Sequence, residues 1–255
     1  MLESARDHYR RQQNLTARAV AEARRRANRG LGSVAQAIRA YQVLAITLAL
    51  QAGAAELAEQ NIAAPPVAAV NPSALLTGEA ELAARLEKAT DGYVLDRLVA
   101  TFVQDAGRTA SAVDMARRPG VDGYVRVLNP PSCSRCAILA GRFYLWSSGF
   151  RRHPLCDCIH QMSTHQAAVG QTVDVAAMVT AGQVVDLTKA QGEAILAGAE
   201  PSQVVNTTSR AAGLTVSSSV LQRSGRSTPA EVLALADGDR TVAIAGLRAN
   251  GYLAA

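Results

Sequence analysis

All four cysteines of this chain fall between positions 133 and 158. Cys133-Ser-Arg-Cys136 opens the segment, Phe143-Tyr-Leu-Trp146 lies in its middle, and His153-Pro-Leu-Cys156-Asp-Cys158 closes it. Two thiol pairs, separated by a length that suits a hairpin, form the pattern in which two tight turns converge on one tetrahedral ion. A two-residue spacer lets Cys133 and Cys136 point inward from one turn. A one-residue spacer puts Cys156 and Cys158 on the same face of an extended strand. His153 is a fifth donor for four positions. Either four thiolates ligate with His153 hydrogen-bonded behind them, or three thiolates and His153 ligate together. The expected occupant is Zn2+ in a closed, structural site. A hydrolytic zinc would need an open position and a general base, and the chain has no His-Glu-x-x-His. Reduced cysteines that merely pack, or a disulfide or redox pair, are the competing readings.

The rest of the composition points to helices. Of the 255 residues, 49% are hydrophobic but only 4% aromatic, and the abundant alanine has the best helix propensity and a short reach. The N-terminal residues Met1-Leu-Glu-Ser-Ala-Arg-Asp are polar, unlike a secretory leader, so the expected compartment is the cytoplasm. Val43 to Ala55 is the most apolar stretch. Thr47 and Gln51 interrupt it, and it is shorter than the roughly 20 residues a spanning helix needs, so no membrane segment is expected.

Patterning predicts a polar helix over Ser4–Arg29, largely exposed and ended by Gly30, and a second over Ser33–Gln60 with Ser33 as N-cap. The second carries Val34, Ile38, Tyr41, Leu44, Ala45 and Leu48 as its buried stripe. Pro65-Pro66 and Asn71-Pro72 impose a connector. Helices then follow over Leu75–Lys88 and Asp91–Arg118. Gly123–Leu128, Arg142–Trp146 and Ile159–Met162 read as strands. Short helices are predicted over Val173–Thr180, Thr188–Leu196 and Pro229–Leu235, the last with Thr228 as N-cap and Pro229 at the first position. Asn206–Thr228, rich in Ser, Thr, Arg and Gly, reads as a linker. The fold class is therefore mainly α with a small β-rich, zinc-knuckle-like module (α+β). Its regions are a helical part over 1–120, a Cys/His module over 121–166, and short helices over 167–255.

The net charge is +5, with arginines clustered at Arg24 to Arg26 with Arg29, and at Arg151-Arg152. Such clusters suit polyanions or acidic surfaces, although a solvated helix face is the commoner meaning. Arg135, Arg142, Arg151 and Arg152 beside Phe143, Tyr144, Trp146 and Phe150 could stack bases and pair phosphates, or the aromatics could simply fill a small core. No Gly-x-Ser-x-Gly, phosphate-binding Gly-Lys-Ser/Thr or Gly-x-Gly-x-x-Gly motif is present, and His8, His160 and His165 are isolated. No catalytic residue is assigned.

Leu128-Asn-Pro-Pro-Ser-Cys133-Ser-Arg-Cys136-Ala-Ile-Leu-Ala-Gly141-Arg-Phe-Tyr, followed by Phe150-Arg-Arg-His153-Pro154-Leu-Cys156-Asp-Cys158, resembles the signature of MuF-type minor head proteins of tailed bacteriophages, in particular the actinobacteriophage branch. Leu187-Thr-Lys-Ala-Gln191 and Ser202-Gln-Val-Val-Asn206 are similar to segments of the same relatives. The resemblance is strongest over about a sixth of the chain. It implies a minor capsid protein acting in head morphogenesis, associated with the portal protein and with the major capsid or scaffolding protein. The implied location is the virion, in the head interior or portal region, after assembly in host cytoplasm. Contact with packaged DNA and self-association of the N-terminal helices are left open. The rival readings are a capsid maturation protease and a DNA-binding head protein.

Overall fold

A computed structural model covers the chain and describes residues 1–65, 67–149, 156, 158–199, 201–207, 227 and 229–253. The first helix, α1 (Glu3–Arg26), continues as a 3-10 turn over Ala27–Arg29. Ala5, His8, Tyr9, Gln12, Thr16, Ala19 and Ala23 are buried along it, a stripe at helical spacing that polar neighbours conceal in the sequence. Gly30, at φ +93°, turns the chain directly into α2 (Leu31–Glu59). Ser33 therefore sits in the first turn and is not the N-cap.

Helix α2 is the central element, packed against α1 and against α4 (Gly92–Ala116). Its buried stripe runs through Val34, Ile38, Gln42, Ala45, Ile46, Ala49 and Gly53 to Glu56. Leu44, expected inside, is half exposed, because the 3.6-residue path from Ile38 passes through Gln42 and Ala45. Apolar on most sides, α2 has the length and composition of a spanning helix. Here it forms the core of a helical layer with Gln42 and Glu56 buried inside.

The helix expected over Leu75–Lys88 is a 3-10 turn over Pro72–Leu75 followed by the shorter α3 (Glu79–Leu86). Asn71 caps the 3-10 turn by accepting from the Ser73 N–H at 3.1 Å. Asp91 caps α4, accepting from the Val94 N–H at 2.8 Å.

Three strands follow: β1 (Gly123–Val127), β2 (Phe143–Leu145) and β3 (Ile159–Ser163), in spatial order β2-β1-β3 and antiparallel throughout. The central strand β1 is buried along its whole length and pairs Tyr124 with Tyr144 on one side and with Met162 on the other. Glycine is required at 123, since a Cβ there would lie 1.9 Å from the Tyr144 carbonyl oxygen. The short helix α5 (Ser134–Ala137) lies between β1 and β2.

Beyond the sheet come α6 (His165–Ala168), α7 (Val175–Thr180), α8 (Lys189–Leu196), α9 (Pro201–Thr207), α10 (Pro229–Leu235) and α11 (Arg240–Ala249). Helix α8 starts with a complete capping box between Thr188 and Gln191. Helix α9 takes Asn206 and Thr207 out of the expected linker. Residues 208–226 and Thr228 of that linker lie outside the described residues. Helices α10 and α11 return to α4, and one apolar cluster joins Ile46, Ala110, Val113, Tyr124, Trp146, Met162, Leu233 and Leu247. The helical layer, sheet and final helices thus share a core.

Candidate metal centre

The cysteine segment enters the fold at two places. Cys133 and Cys136 sit at the start of α5, where the Cys133 sulfur acts as the N-cap and accepts from the Cys136 N–H at 3.4 Å. Cys156 and Cys158 lead directly into β3, beside the centre of the sheet. The Cys136 and Cys156 sulfurs are 3.5 Å apart, and those of Cys156 and Cys158 are 3.0 Å apart. All three lie within 4.8 Å of one another and are almost completely buried. Cys133, half-buried, packs against this group and bonds it through the Cys136 sulfur. His153 lies outside the described residues.

Tetrahedral zinc with sulfur at 2.3 Å sets neighbouring sulfurs about 3.8 Å apart. Three sulfurs at 3.0 to 3.5 Å from their neighbours need only small rotations to meet that geometry. Four reduced cysteines supply soft donors, which favour zinc or another thiophilic ion over calcium or magnesium. The residues present fit the group that their spacing implies. Without an ion Cys136 and Cys158 keep their protons. The bond from Cys133, with that from Cys156, pushes the Cys136 thiol far up. For Cys158 the bond with Cys136 works downward, but the bond with Cys156 and burial outweigh it and push the thiol up to about 11. A divalent ion replaces those protons as it binds.

Two buried guanidinium groups flank the sulfurs, and the spacing of cysteines does not reveal either. Arg126, in the middle of β1, directs Nη2 to the Cys158 sulfur at 3.2 Å and to the Cys156 sulfur at 3.7 Å. Arg108, on α4, donates from Nε to the Cys158 carbonyl at 3.0 Å, from Nη2 to the Cys156 carbonyl, and from Nη1 to Asp105 at 3.0 Å. Burial opposes charge on both groups, yet the neighbouring Cys156 and Cys158 sulfurs hold both pKa values above the ordinary arginine range. The sequence signal for Arg126 is a charged residue inside an otherwise apolar five-residue strand.

Behind the cluster, His8, Gln12, Gln104, Arg108, Ser111 and His160 line a cavity of about 10 Å³. That is room for one water molecule. His8 Nδ1 lies 3.4 Å from the Glu56 carboxylate, an arrangement that can orient a base. The cavity admits no peptide chain, so it gives a protease no substrate site. His160 stacks on Tyr124 at 4.1 Å, and burial, with Arg108 and Arg126 nearby, keeps it neutral. His165 sits edge-on to Phe143 at 5.1 Å.

Three of the arginines expected to meet polyanions form ion pairs at the surface. Arg24 pairs with Asp96, and Arg25 and Arg26 pair with Glu22. Trp146 is core, with the Arg240 guanidinium 5.0 Å above its ring. Phe150, Arg151 and Arg152 lie outside the described residues. Comparisons with known protein families, with curated proteins and with solved structures give no match for this chain.

Proposed function

We propose that this chain is a structural component of a tailed-phage head, a minor capsid protein of the MuF type, built around a structural zinc site. The observation that carries this reading is the meeting of Cys136, Cys156 and Cys158 at one buried point. Those are positions of the cysteine signature on which the family resemblance rests. A divalent ion would be held by these three sulfurs together with Cys133 or His153, and it would supply a cross-link of the kind that closed thiolate sites provide.

The chain's own residues give that cross-link its purpose. Cys136 lies on the β1–β2 connection and Cys156 enters β3, so a shared ion fastens both neighbours of the central strand at one end. Arg108 then ties the Cys156 and Cys158 carbonyls to α4. The result is a stiff hub between the helical layer and the sheet, suited to docking against a portal, capsid or scaffolding surface. Neither rival has comparable support. The protease reading has only the buried His8–Glu56 pair beside a cavity too small for a peptide, and the DNA reading shares Arg24 to Arg26 with exposed ion pairs within the chain.

Detection of the chain in purified virions, together with co-purification with the cognate portal protein, tests this function. Low-copy presence in heads and a stable portal complex are expected. A chain absent from finished heads and from every assembly intermediate would contradict the proposal. So would capsid-protein cleavage abolished by His8→Ala or Ser111→Ala.

A further inference from the structure

The charges around the sulfurs carry the metal reading one step further. Cys136, Cys156 and Cys158 alone, bound to a divalent ion as thiolates, would carry one net negative charge. A fourth thiolate makes that two. Buried ions are tolerated where opposite charge and hydrogen bonds meet them at close range. Two buried cations stand against this cluster. Arg126 is 2% exposed and donates to two sulfurs, and Arg108 is 7% exposed and donates to the carbonyls of the same two cysteines. Asp105, the carboxylate that also pairs with Arg108, is 22% exposed and in contact with water. The buried shell therefore sets two guanidinium groups against a site of one or two negative charges, with Asp105 answering part of the Arg108 charge at 3.0 Å.

Contact with the cluster points to Cys133 as the fourth sulfur. Cys133 is already bonded to the Cys136 sulfur, and its own sulfur accepts a backbone N–H at the start of α5. We propose that Cys133, Cys136, Cys156 and Cys158 bind the ion as a tetrathiolate dianion, with Arg126 and Arg108 as its buried counter-cations. His153 is left outside the ligand set. Each ligating thiol releases its proton to the buffer as its sulfur–metal bond forms. Arg126 acts as a positioning residue, holding the Cys156 and Cys158 sulfurs and cancelling charge without touching the metal.

This inference rests on the metal site proposed above, and substitution of the full-length chain with Co2+ separates the two. The near-ultraviolet thiolate-to-cobalt absorption scales with the number of sulfur ligands, and competition with a chelator gives affinity. Cys133→Ser should lose about a quarter of that absorption, one of four ligands, while His153→Ala leaves the spectrum unchanged. Arg126→Gln should weaken cobalt binding about 10- to 100-fold with the ligand spectrum intact, the usual effect of removing a group that orients metal ligands. Arg126→Lys keeps the charge and should recover most of the loss, which separates charge compensation from a general failure to fold. A spectrum altered by His153→Ala but not by Cys133→Ser would overturn the ligand assignment. Wild-type affinity in Arg126→Gln would overturn the counter-charge. A wild-type chain that takes up neither cobalt nor zinc would overturn the metal site itself.

Discussion

Arg108 Nε donates to the Cys158 carbonyl at 3.0 Å across fifty positions of sequence, fastening α4 to the residue that leads into β3. The same guanidinium reaches the Cys156 carbonyl and Asp105. Arg108→Met keeps the stem that fills the space but leaves two buried carbonyls without their charged donor. Removing one partner of a buried charged network costs about 3 kcal/mol. Hydrogen exchange should show the β3 amides opening sooner than those of α2. Unchanged protection of β3 would mean that Arg108 does not hold the sheet to the helix.

Cys136→Ser removes a buried ligand at the centre of the sulfur group. Metal binding supplies folding free energy to such sites. The variant should therefore lose its ion and melt at lower temperature, with the loss concentrated between residues 123 and 163. Metal analysis and calorimetry on the same sample check this. Full metal content with an unchanged melting temperature would refute the structural role.

Glu56 gives the helical layer a pH dependence of its own. Its carboxylate accepts from the Met162 N–H at 2.8 Å and lies 3.4 Å from His8. Burial outweighs both contacts and raises its pKa above the ordinary 4.5. A carboxyl raised on folding stabilises the protein fully below pH 4.5, and that contribution is lost as pH climbs through the folded value. Glu56→Gln keeps an oxygen for Met162 and removes the buried charge. It should be more stable than wild type at pH 7 and lack the decline above pH 4.5, as urea titrations across pH would show. A less stable variant at pH 7 would mean that pairing with His8 outweighs desolvation.

Gly123→Ala tests the sheet. The added methyl carbon would meet the Tyr144 carbonyl oxygen at 1.9 Å, a backbone contact that no rotamer can relieve. The β1–β2 pairing must open, at a cost of about 3 kcal/mol, in the upper range for single substitutions. Thermal unfolding would detect it. A variant as stable as wild type would contradict the pairing of Gly123 with Leu145.

Arg240, at the start of α11, closes the end of α4. It donates to the carbonyls of Met115, Ala116, Arg118 and Val121, while its guanidinium lies over Trp146. Arg240→Met should loosen α10 and α11 from the core by about 2 kcal/mol, the scale of charged hydrogen bonds. Trp146 is the chain's sole tryptophan, so its fluorescence reports the change without a label. An unaltered spectrum and stability would show that the final helices dock without Arg240.

Local rules made much of this legible in advance. The helix over Thr188–Leu196, the strand at Gly123 and the helical run of α4 each depend on neighbouring residues. The cysteine spacing likewise announced a cluster, and the three sulfurs of Cys136, Cys156 and Cys158 converge. Long-range relations were hidden. Arg108 bonds backbone carbonyls, which every residue carries, so no pattern of side chains marks it as part of the site. Leu44 was misplaced because α2 is apolar on nearly every side, which leaves its inner face to be chosen by α1 and α4 rather than by its own periodicity. The buried stripe of α1 was obscured for the opposite reason, since His8, Gln12 and Thr16 are polar residues facing inward.

The most direct test of the account is the metal content of the purified native chain, measured by inductively coupled plasma mass spectrometry alongside a count of reactive thiols. The expected result is about one zinc per chain, with all four cysteines unreactive until the ion is chelated. No bound metal and four freely reactive thiols would contradict the metal-centred hub.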